Sequence, residues 1–503
     1  MPFGHHGHMS GDASGVRMPA GPEIHETHTG IVALVGNRAY KVKKPVRTDF
    51  LDFSGVGQRE RACVQEVELN RRLAPQAYLG VAHLSDVEGG PAEPVIVMRR
   101  YADEHRLSTR VRRGLPVEDE LRAVADTLAR FHAGAARSPE IDADGSRAAV
   151  EKRWRDNLTE LHGYAPTLLP GDVVDQVERL VGEFLAGREA LFAERIAERR
   201  IVDGHADLLA DDIFWQPDGP VLLDCLEFDA GLRHVDGIDD AAFLAMDLEF
   251  LGRGDLGAQF LEHYRRAADD SAPEALGDFY IAYRAVVRAK TDCIRARQGR
   301  AEAVADAHRH LHLAAEHLRA GAVRLILVGG GPGTGKTTLA RGLAGHLRAE
   351  VISTDDVRRD LQRDGVIAGE AGALGSGLYG PEQVEKVYDA VLDSAAGELG
   401  RGRTVILDGT WREPRHRARA RDLAERMHCP SIEFACTLPL AEAEARIAGR
   451  RHTTSDATPA IAAALAAGNA EHDGVWEGAH RLDTGRPLGD TVAEAHEICC
   501  LAI

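Results

Sequence analysis

The run Gly330-Gly331-Pro332-Gly333-Thr334-Gly335-Lys336-Thr337, continued by Thr338, constrains this chain more than any other segment. It follows the apolar stretch Leu325-Ile326-Leu327-Val328 and precedes helical text, so it matches G-x-x-x-x-G-K-[ST] in the strand–loop–helix setting that the pattern requires. Glycines let consecutive backbone N–H groups wrap phosphate oxygens, Lys336 neutralises β/γ charge, and the Thr337 hydroxyl suits Mg2+. An ordinary glycine-rich turn would need none of these together. Further strand-like pieces, Val351-Ile352, Thr404-Val405-Ile406-Leu407 and Ile432-Glu433-Phe434-Ala435, alternate with helical segments. That alternation predicts a parallel sheet covered on both faces.

Strand ends decide the chemistry such a sheet can do, because ligands bind outside the carboxyl ends of its strands. Two of these ends are acidic: Ser353-Thr354-Asp355-Asp356-Val357-Arg358 and Leu407-Asp408-Gly409-Thr410-Trp411. One carboxylate there can accept a hydroxyl proton, and a second can support a Mg2+ water shell. Asp355 has an alternative role as a helix N-cap, since the aspartates open a helical segment. Arg446 and Arg450 lie one helical turn apart, where both can act as a lid over a triphosphate. Arg412, Arg415, Arg417, Arg419 and Arg421 can either collect a phosphorylated acceptor or form a solvated helix face. With its loop, D-D-x-R, D-G-T and R-x-x-x-R, this segment of about 180 residues resembles the zeta-toxin, polynucleotide-kinase and small-molecule P-loop kinase group. The resemblance implies Asp355 as acceptor base, Arg358 as an acceptor-positioning group, Asp408 as a metal or phosphate-side carboxylate, and Arg446 with Arg450 as lid arginines.

The first 320 residues read differently. Ile31-Val32-Ala33-Leu34-Val35 and Ala39-Tyr40-Lys41-Val42-Lys43 flank the turn signal Gly36-Asn37. A helix is expected over residues 63–73 and a further strand at residues 94–98, before a long helical region rich in Ala, Leu, Arg and Glu. Within that region Ile213-Phe214-Trp215 and Val221-Leu222-Leu223 are joined by Gln216-Pro217-Asp218-Gly219, a hairpin. Around the hairpin, His205-Ala206-Asp207 through Asp212, then Asp224, follow the kinase order H-x-D-x-x-x-x-N with a downstream metal Asp. In that order Asp207 deprotonates an acceptor hydroxyl, while Asp212 and Asp224 hold Mg2+ on ATP phosphates. Lys41 on a strand and Glu66 on the next helix match the phosphate-binding lysine and its glutamate partner, although Lys43 faces the same side.

With Tyr40-Lys41-Val42-Lys43-Lys44-Pro45 and Leu69-Asn70-Arg71-Arg72-Leu73, this half is similar to the aminoglycoside-phosphotransferase-like branch of kinases. The whole chain resembles bacterial fusions of such a domain with a P-loop kinase. Two departures stand out: Asp212 replaces the expected Asn, and the nearest candidate for a glycine-rich loop is only Thr27-His28-Thr29-Gly30. A kinase fold used for sensing rather than catalysis is the competing reading.

Composition narrows the partners. The 61 Lys and Arg against 79 Asp and Glu give a net charge of -18, which disfavours a nucleic-acid polymer. Seven cysteines without C-x-x-C spacing argue against a disulfide frame or zinc site. No stretch predicts an export signal or a membrane span, so a reducing cytoplasm is expected. The expected architecture combines α/β and α+β parts. A tail (residues 1–22) precedes a bilobal protein-kinase-like domain (23–320, small lobe 23–98, helical lobe 99–320), and a P-loop NTPase parallel-sheet domain (321–503) follows. The expected activity is transfer of the γ-phosphoryl of ATP, with Mg2+, to hydroxyls of small molecules.

Overall fold

The computed structural model describes residues 23–26, 30–46, 52–85, 89–370, 376–449, 458, 463 and 476–503. The tail at residues 1–22, residues 27–29 of the candidate glycine loop, and Arg450 lie outside the described residues. The chain divides into two compact units, Met1–Thr127 with His205–Leu232, and Leu128–Gly204 with Arg233–Ile503.

The first unit is built on an antiparallel sheet of β1 (Glu23–Glu26), β2 (Gly30–Val35), β3 (Arg38–Lys43), β4 (Tyr78–Leu84) and β5 (Glu93–Arg99), in the order β1-β2-β3-β5-β4. β2 and β3 form the expected hairpin, closed by Gly36 at φ 57°, which glycine adopts without steric cost. Helix α1 (Val56–Asn70) packs on this sheet with Arg59, Cys63, Glu66, Val67 and Asn70 inward, one face at helical spacing. It starts about two turns before the expected residue 63. The early turns are polar, and their one buried side chain is Arg59, ion-paired to Glu93 at 2.6 Å and donating to Phe53 O. No apolar period marks them. The hairpin Ile213–Gln216 with Gly219–Leu222 supplies Phe214 and Val221 to a core shared with Ala39, Cys63, Val67, Tyr78, Ile96 and Met98.

The second unit contains long helices followed by a parallel sheet. Among the helices, α2 (Gly237–Phe250), α3 (Glu274–Arg297) and α4 (Ala303–Ala320) pack together, with Phe279 of α3 stacked on Phe184 at 4.3 Å. Gly321 caps α4, as the glycine at that place predicts. The sheet holds β6 (Leu325–Gly329), β7 (Glu350–Ser353), β8 (Val405–Asp408), β9 (Ser431–Thr437) and β10 (His480–Asp483) in the order β7-β8-β6-β9-β10. Every pairing is parallel. Connecting helices are α5 (Lys336–Leu347), α6 (Thr354–Arg363), α7 (Pro381–Gly400), α8 (Pro414–Arg426), α9 (Leu440–Ala448) and the terminal α10 (Leu488–Leu501). α5 and α10 bury Leu339, Leu343, Val492 and Ala495 against Ile326, Val328, Ile406 and Phe434.

Register places the chemistry. Val328 of β6 and Ser353 of β7 both lie opposite Asp408 of β8, so three strands end level with one another. The glycine loop, the Ser353–Arg358 segment and Asp408 therefore open on one edge. Lower in this unit Arg188, 1% exposed, donates to Met427 O at the end of α8, and burial pushes its guanidinium down to about 10.

Two candidate phosphoryl-transfer sites

The loop after β6 is shaped by backbone that only glycine takes easily. Gly333 has φ 81°, and a Cβ there would press on the Ala443 carbonyl, while Gly330, at φ 149°, would meet Thr334 Oγ1 at 2.6 Å. Gly335 precedes α5 at φ 83°, so the free N–H groups of the first turn of α5 emerge beside Lys336. Thr337 donates to Asp408 Oδ2 at 2.6 Å. The other carboxylate oxygen, Asp408 Oδ1, is buried without a hydrogen-bond partner. Burial raises the Asp408 carboxyl, and the Thr337 hydroxyl and Lys336 charge only partly offset it. An orphaned oxygen next to a hydroxyl oxygen is a donor set that fits a hard divalent cation such as Mg2+.

Ser353, not Asp355, caps α6: its Oγ accepts from Asp355 N at 3.3 Å. The alternative role of Asp355 as N-cap is thus taken by a neighbour. Asp355 instead accepts from Arg358 at 2.8 Å, and its charge is felt at Asp408. Arg358 is 7% exposed, lies 4.5 Å from the centroid of the Tyr379 ring, and keeps Nε without a partner. Arg446 of α9 donates to Thr484 O at 2.9 Å and borders a cavity of about 330 Å3 with Gly333, Gly335, Thr338, Thr484 and Arg486. Thr484 also donates to Thr334 O of the loop at 2.6 Å.

Four of the five arginines between residues 412 and 421 are occupied within the protein. Arg415 reaches Glu413, Arg417 the Trp411 and Arg412 carbonyls, Arg419 Glu385 and Asp389, and Arg421 Glu433. Arg417 is buried as well. These four therefore have protein partners and, Arg417 apart, solvent as well. Arg417 and Tyr388, whose hydroxyl accepts from Trp411 N at 3.3 Å, hold the fully buried Trp411 at φ 49° just after the Asp408 strand.

In the first unit, His205 is wholly buried and serves the loop around it: Nε2 donates to Leu223 O at 3.0 Å, and Nδ1 accepts from Asp207 N at 3.3 Å. Ala206 (φ 65°) and Asp224 (φ 63°) take left-handed backbone unusual for residues with a Cβ, a form of strain that gathers at functional loops. Asp211 is committed to Ser108 and Arg112. Asp212 feels the other aspartates: burial raises its carboxyl well above the ordinary range, and the charges of Asp224, Asp207 and Asp211 raise it further. Crowded carboxylates of this kind fit a divalent cation between Asp212 and Asp224.

Lys41 Nζ lies 2.8 Å from Glu66 and donates to Asp224 at 2.6 Å. The Asp224 side chain, 42% exposed, lies below the ordinary carboxylate range; what burial it has pushes it up, and Lys41 more than reverses that. Asp224 N donates to Tyr78 Oη at 3.1 Å, and Cys225 N to Asn70 Oδ1 at 2.8 Å, so β4 and α1 both anchor this segment. Sequence reasoning did not single out Tyr78, Glu227, Tyr388, Thr484 or Arg486, and quoted Asn70 only within the segment 69–73 without giving it a role. Asn70 carried a signal, standing one turn after Glu66, whereas Thr484 and Arg486 follow a strand that no pattern announced.

A model of the AAA domain matches residues 325–474. The chain is 56% identical over 481 residues, 96% of each chain, to "Uncharacterized protein Rv2004c" of Mycobacterium tuberculosis (strain ATCC 25618 / H37Rv), and equally to "Uncharacterized protein Mb2027c" of Mycobacterium bovis. Among solved structures, a choline/ethanolamine kinase family protein from Mesorhizobium loti matches 61% of this chain and 92% of its own, at 16% identity and a TM-score of 0.37. The Mycobacterium tuberculosis APS kinase CysC in complex with AMPPNP and APS matches 36% of this chain and 98% of its own, at 18% identity and a TM-score of 0.25. At such scores these two add nothing to the assignment, which rests on strand order, the placed residues and the full-length relatives. The chain belongs to the same family as the mycobacterial protein Rv2004c, and its C-terminal part carries a P-loop domain matched by the AAA model.

Proposed function

We propose that this protein is a bifunctional ATP-dependent kinase in which each half transfers the γ-phosphoryl of ATP to a hydroxyl of a small molecule. The observation that carries the reading is the Thr337–Asp408 pair at 2.6 Å with Asp408 Oδ1 left open beside Lys336 and the start of α5. In the P-loop half, the loop N–H groups and Lys336 hold the phosphates, Asp355 takes the acceptor proton, and Arg358 positions the acceptor. Arg446, beside the glycine loop, would act as a lid arginine over a bound nucleotide. In the other half Lys41, oriented by Glu66, meets the phosphates, and Asp207 takes the acceptor proton. Mg2+, held by Thr337 and Asp408 in one half and by Asp212 and Asp224 in the other, would neutralise phosphate charge when bound.

We place the domain boundary at 320/321, supported by the Gly321 cap and the start of the sheet at Leu325. The acceptors are small molecules rather than nucleic acid, since four of the five arginines between residues 412 and 421 are paired within the protein. All seven cysteines are free, which supports a reducing cytoplasm, and among the described residues no helix is long and apolar enough to cross a membrane.

A second reading makes the first half a non-catalytic sensor that gates the P-loop half. Its support is Asp212, a carboxylate crowded by three others where a neutral amide is expected. One experiment separates the two: phosphorylation of a metabolite pool by labelled ATP, with wild type, Lys336→Ala and Asp207→Asn. The bifunctional reading expects each variant to lose a different set of labelled products. A Lys336→Ala protein that labels nothing leaves the sensor reading standing, and a Lys336→Ala protein that labels everything removes the P-loop assignment.

A further inference from the structure

Strand β3 carries two lysines on one face, because side chains alternate along a strand and Lys41 and Lys43 are two residues apart. Their surroundings tell them apart. The Lys41 side chain keeps 14% of its surface and donates to Asp224, the aspartate assigned to the metal. The Lys43 side chain keeps 1%, and it donates to Glu227, three residues further along the same segment. Between them lies Glu66, wholly buried, with Oε1 2.8 Å from Lys41 and Oε2 2.6 Å from Lys43. Neither lysine is aligned to hydrogen-bond Glu66, so its charge is balanced through ion pairing by two cations at once.

This arrangement solves a problem that one lysine would leave open. If Lys41 turns from Asp224 to a phosphate, a glutamate with Lys41 as its one partner must either hold that lysine back or stand as a buried unpaired charge. Both are strongly unfavourable. We propose that Lys43 and Glu227 are positioning residues that keep Glu66 charge-balanced and fixed, so that Lys41 can exchange Asp224 for a nucleotide phosphate. The proposal rests on the reading of this half as an ATP site.

Three features support it. Glu227 offsets Lys43, so the added pair brings no net charge into the cluster. Asn70, on the turn of α1 after Glu66, accepts from Cys225 N at 2.8 Å and donates to Glu66 O at 2.9 Å, which ties the helix of Glu66 to the segment of Asp224 and Glu227. Lys43 is too enclosed to reach a ligand itself, and its ammonium also lies 5.3 Å from the Phe53 ring centroid.

The test uses the full-length chain with Lys336→Ala in every variant, so that ATP turnover reports on the first half alone. Lys41→Met should lower kcat by about 10²–10³-fold. Lys43→Met should lower kcat/KM for MgATP by about 10–100-fold through misplacement of Lys41. Lys43→Arg should restore most of that loss, and the nearly isosteric Glu227→Gln should show a partial loss with the unfolding midpoint little changed. A merely structural role predicts a lower midpoint with kcat and KM of the folded protein unchanged, and that result overturns the proposal. So does a Lys43→Met loss in kcat equal to that of Lys41→Met without rescue by arginine, since Lys43 would then be the phosphate lysine. A Lys336→Ala parent that neither binds nor turns over ATP removes the ATP-site reading, and the proposal falls with it.

Discussion

Replacing Asp355 with Asn separates chemistry from architecture at the P-loop site. The structure assigns the cap of α6 to Ser353, so Asp355→Asn leaves the helix start intact. What changes is the pair with Arg358, whose side chains are 27% and 9% exposed. An asparagine oxygen can still accept from the guanidinium, so the stability loss should be about 1 kcal/mol or less, the range of a partly exposed ion pair. If Asp355 takes the acceptor proton, transfer should fall by about 10²–10⁴-fold while ATP affinity stays near wild type. The assay is labelled-ATP phosphorylation in an Asp207→Asn background, with nucleotide affinity from calorimetry and stability from urea unfolding. Ser353→Ala is the matched control, expected to cost about 1 kcal/mol and little activity. An unchanged transfer rate in Asp355→Asn, or an equal loss in both variants, would refute a proton-accepting role.

Lys336→Ala should abolish ATP binding to the P-loop half, which calorimetry on the full-length chain would register as one ATP site fewer than wild type; an unchanged number of sites would remove the strongest site assignment. Asp212→Asn should leave turnover by the first half within about tenfold of wild type and weaken its Mg2+ dependence, because the crowded carboxylate loses a charge that Mg2+ welcomes and phosphate opposes. Asp224→Asn should cripple it, and turnover unaffected by either change would favour the sensor reading. Stability should depend on pH through His317, which lies between Asp278 at 2.7 Å and Glu249 at 2.9 Å. Burial lowers its pKa, but the two carboxylates lift it to about 9. Because the folded value lies above the unfolded one, the contribution, roughly 3 kcal/mol, is complete below about pH 6.5 and is lost as pH rises through 9. Urea midpoints of wild type and His317→Gln should differ at pH 6 and converge near pH 10; an equal gap at both would refute it.

Much of this molecule is written in local patterns. The glycine loop, the apolar strands β6, β8 and β9, the 213–222 hairpin and the Gly321 cap each depend on a few adjacent residues, whose backbone freedom or periodicity is visible without a fold. The order His205, Asp207, Asp212, Asp224 was equally legible, because the loop that joins these residues is continuous in the chain. β4 was not, since Gly80 and His83 dilute its alternation, nor was β10, where Leu482 is the one buried residue.

What remained for the tertiary structure was choice among equivalents. Sequence alone left two lysines on one face of β3, and left Asp355 either as acceptor base or as the cap of α6. Packing of α1 against β3 sealed Lys43 and left Lys41 beside Asp224, Ser108 claimed Asp211, and Ser353 took the cap. Apart from the cap, which is local, these outcomes depend on partners tens to nearly two hundred residues away, and on burial, which makes a charge costly until a specific neighbour balances it. Residue type and order along the chain therefore determined which chemistry is present, and long-range packing decided which atom of each set performs it.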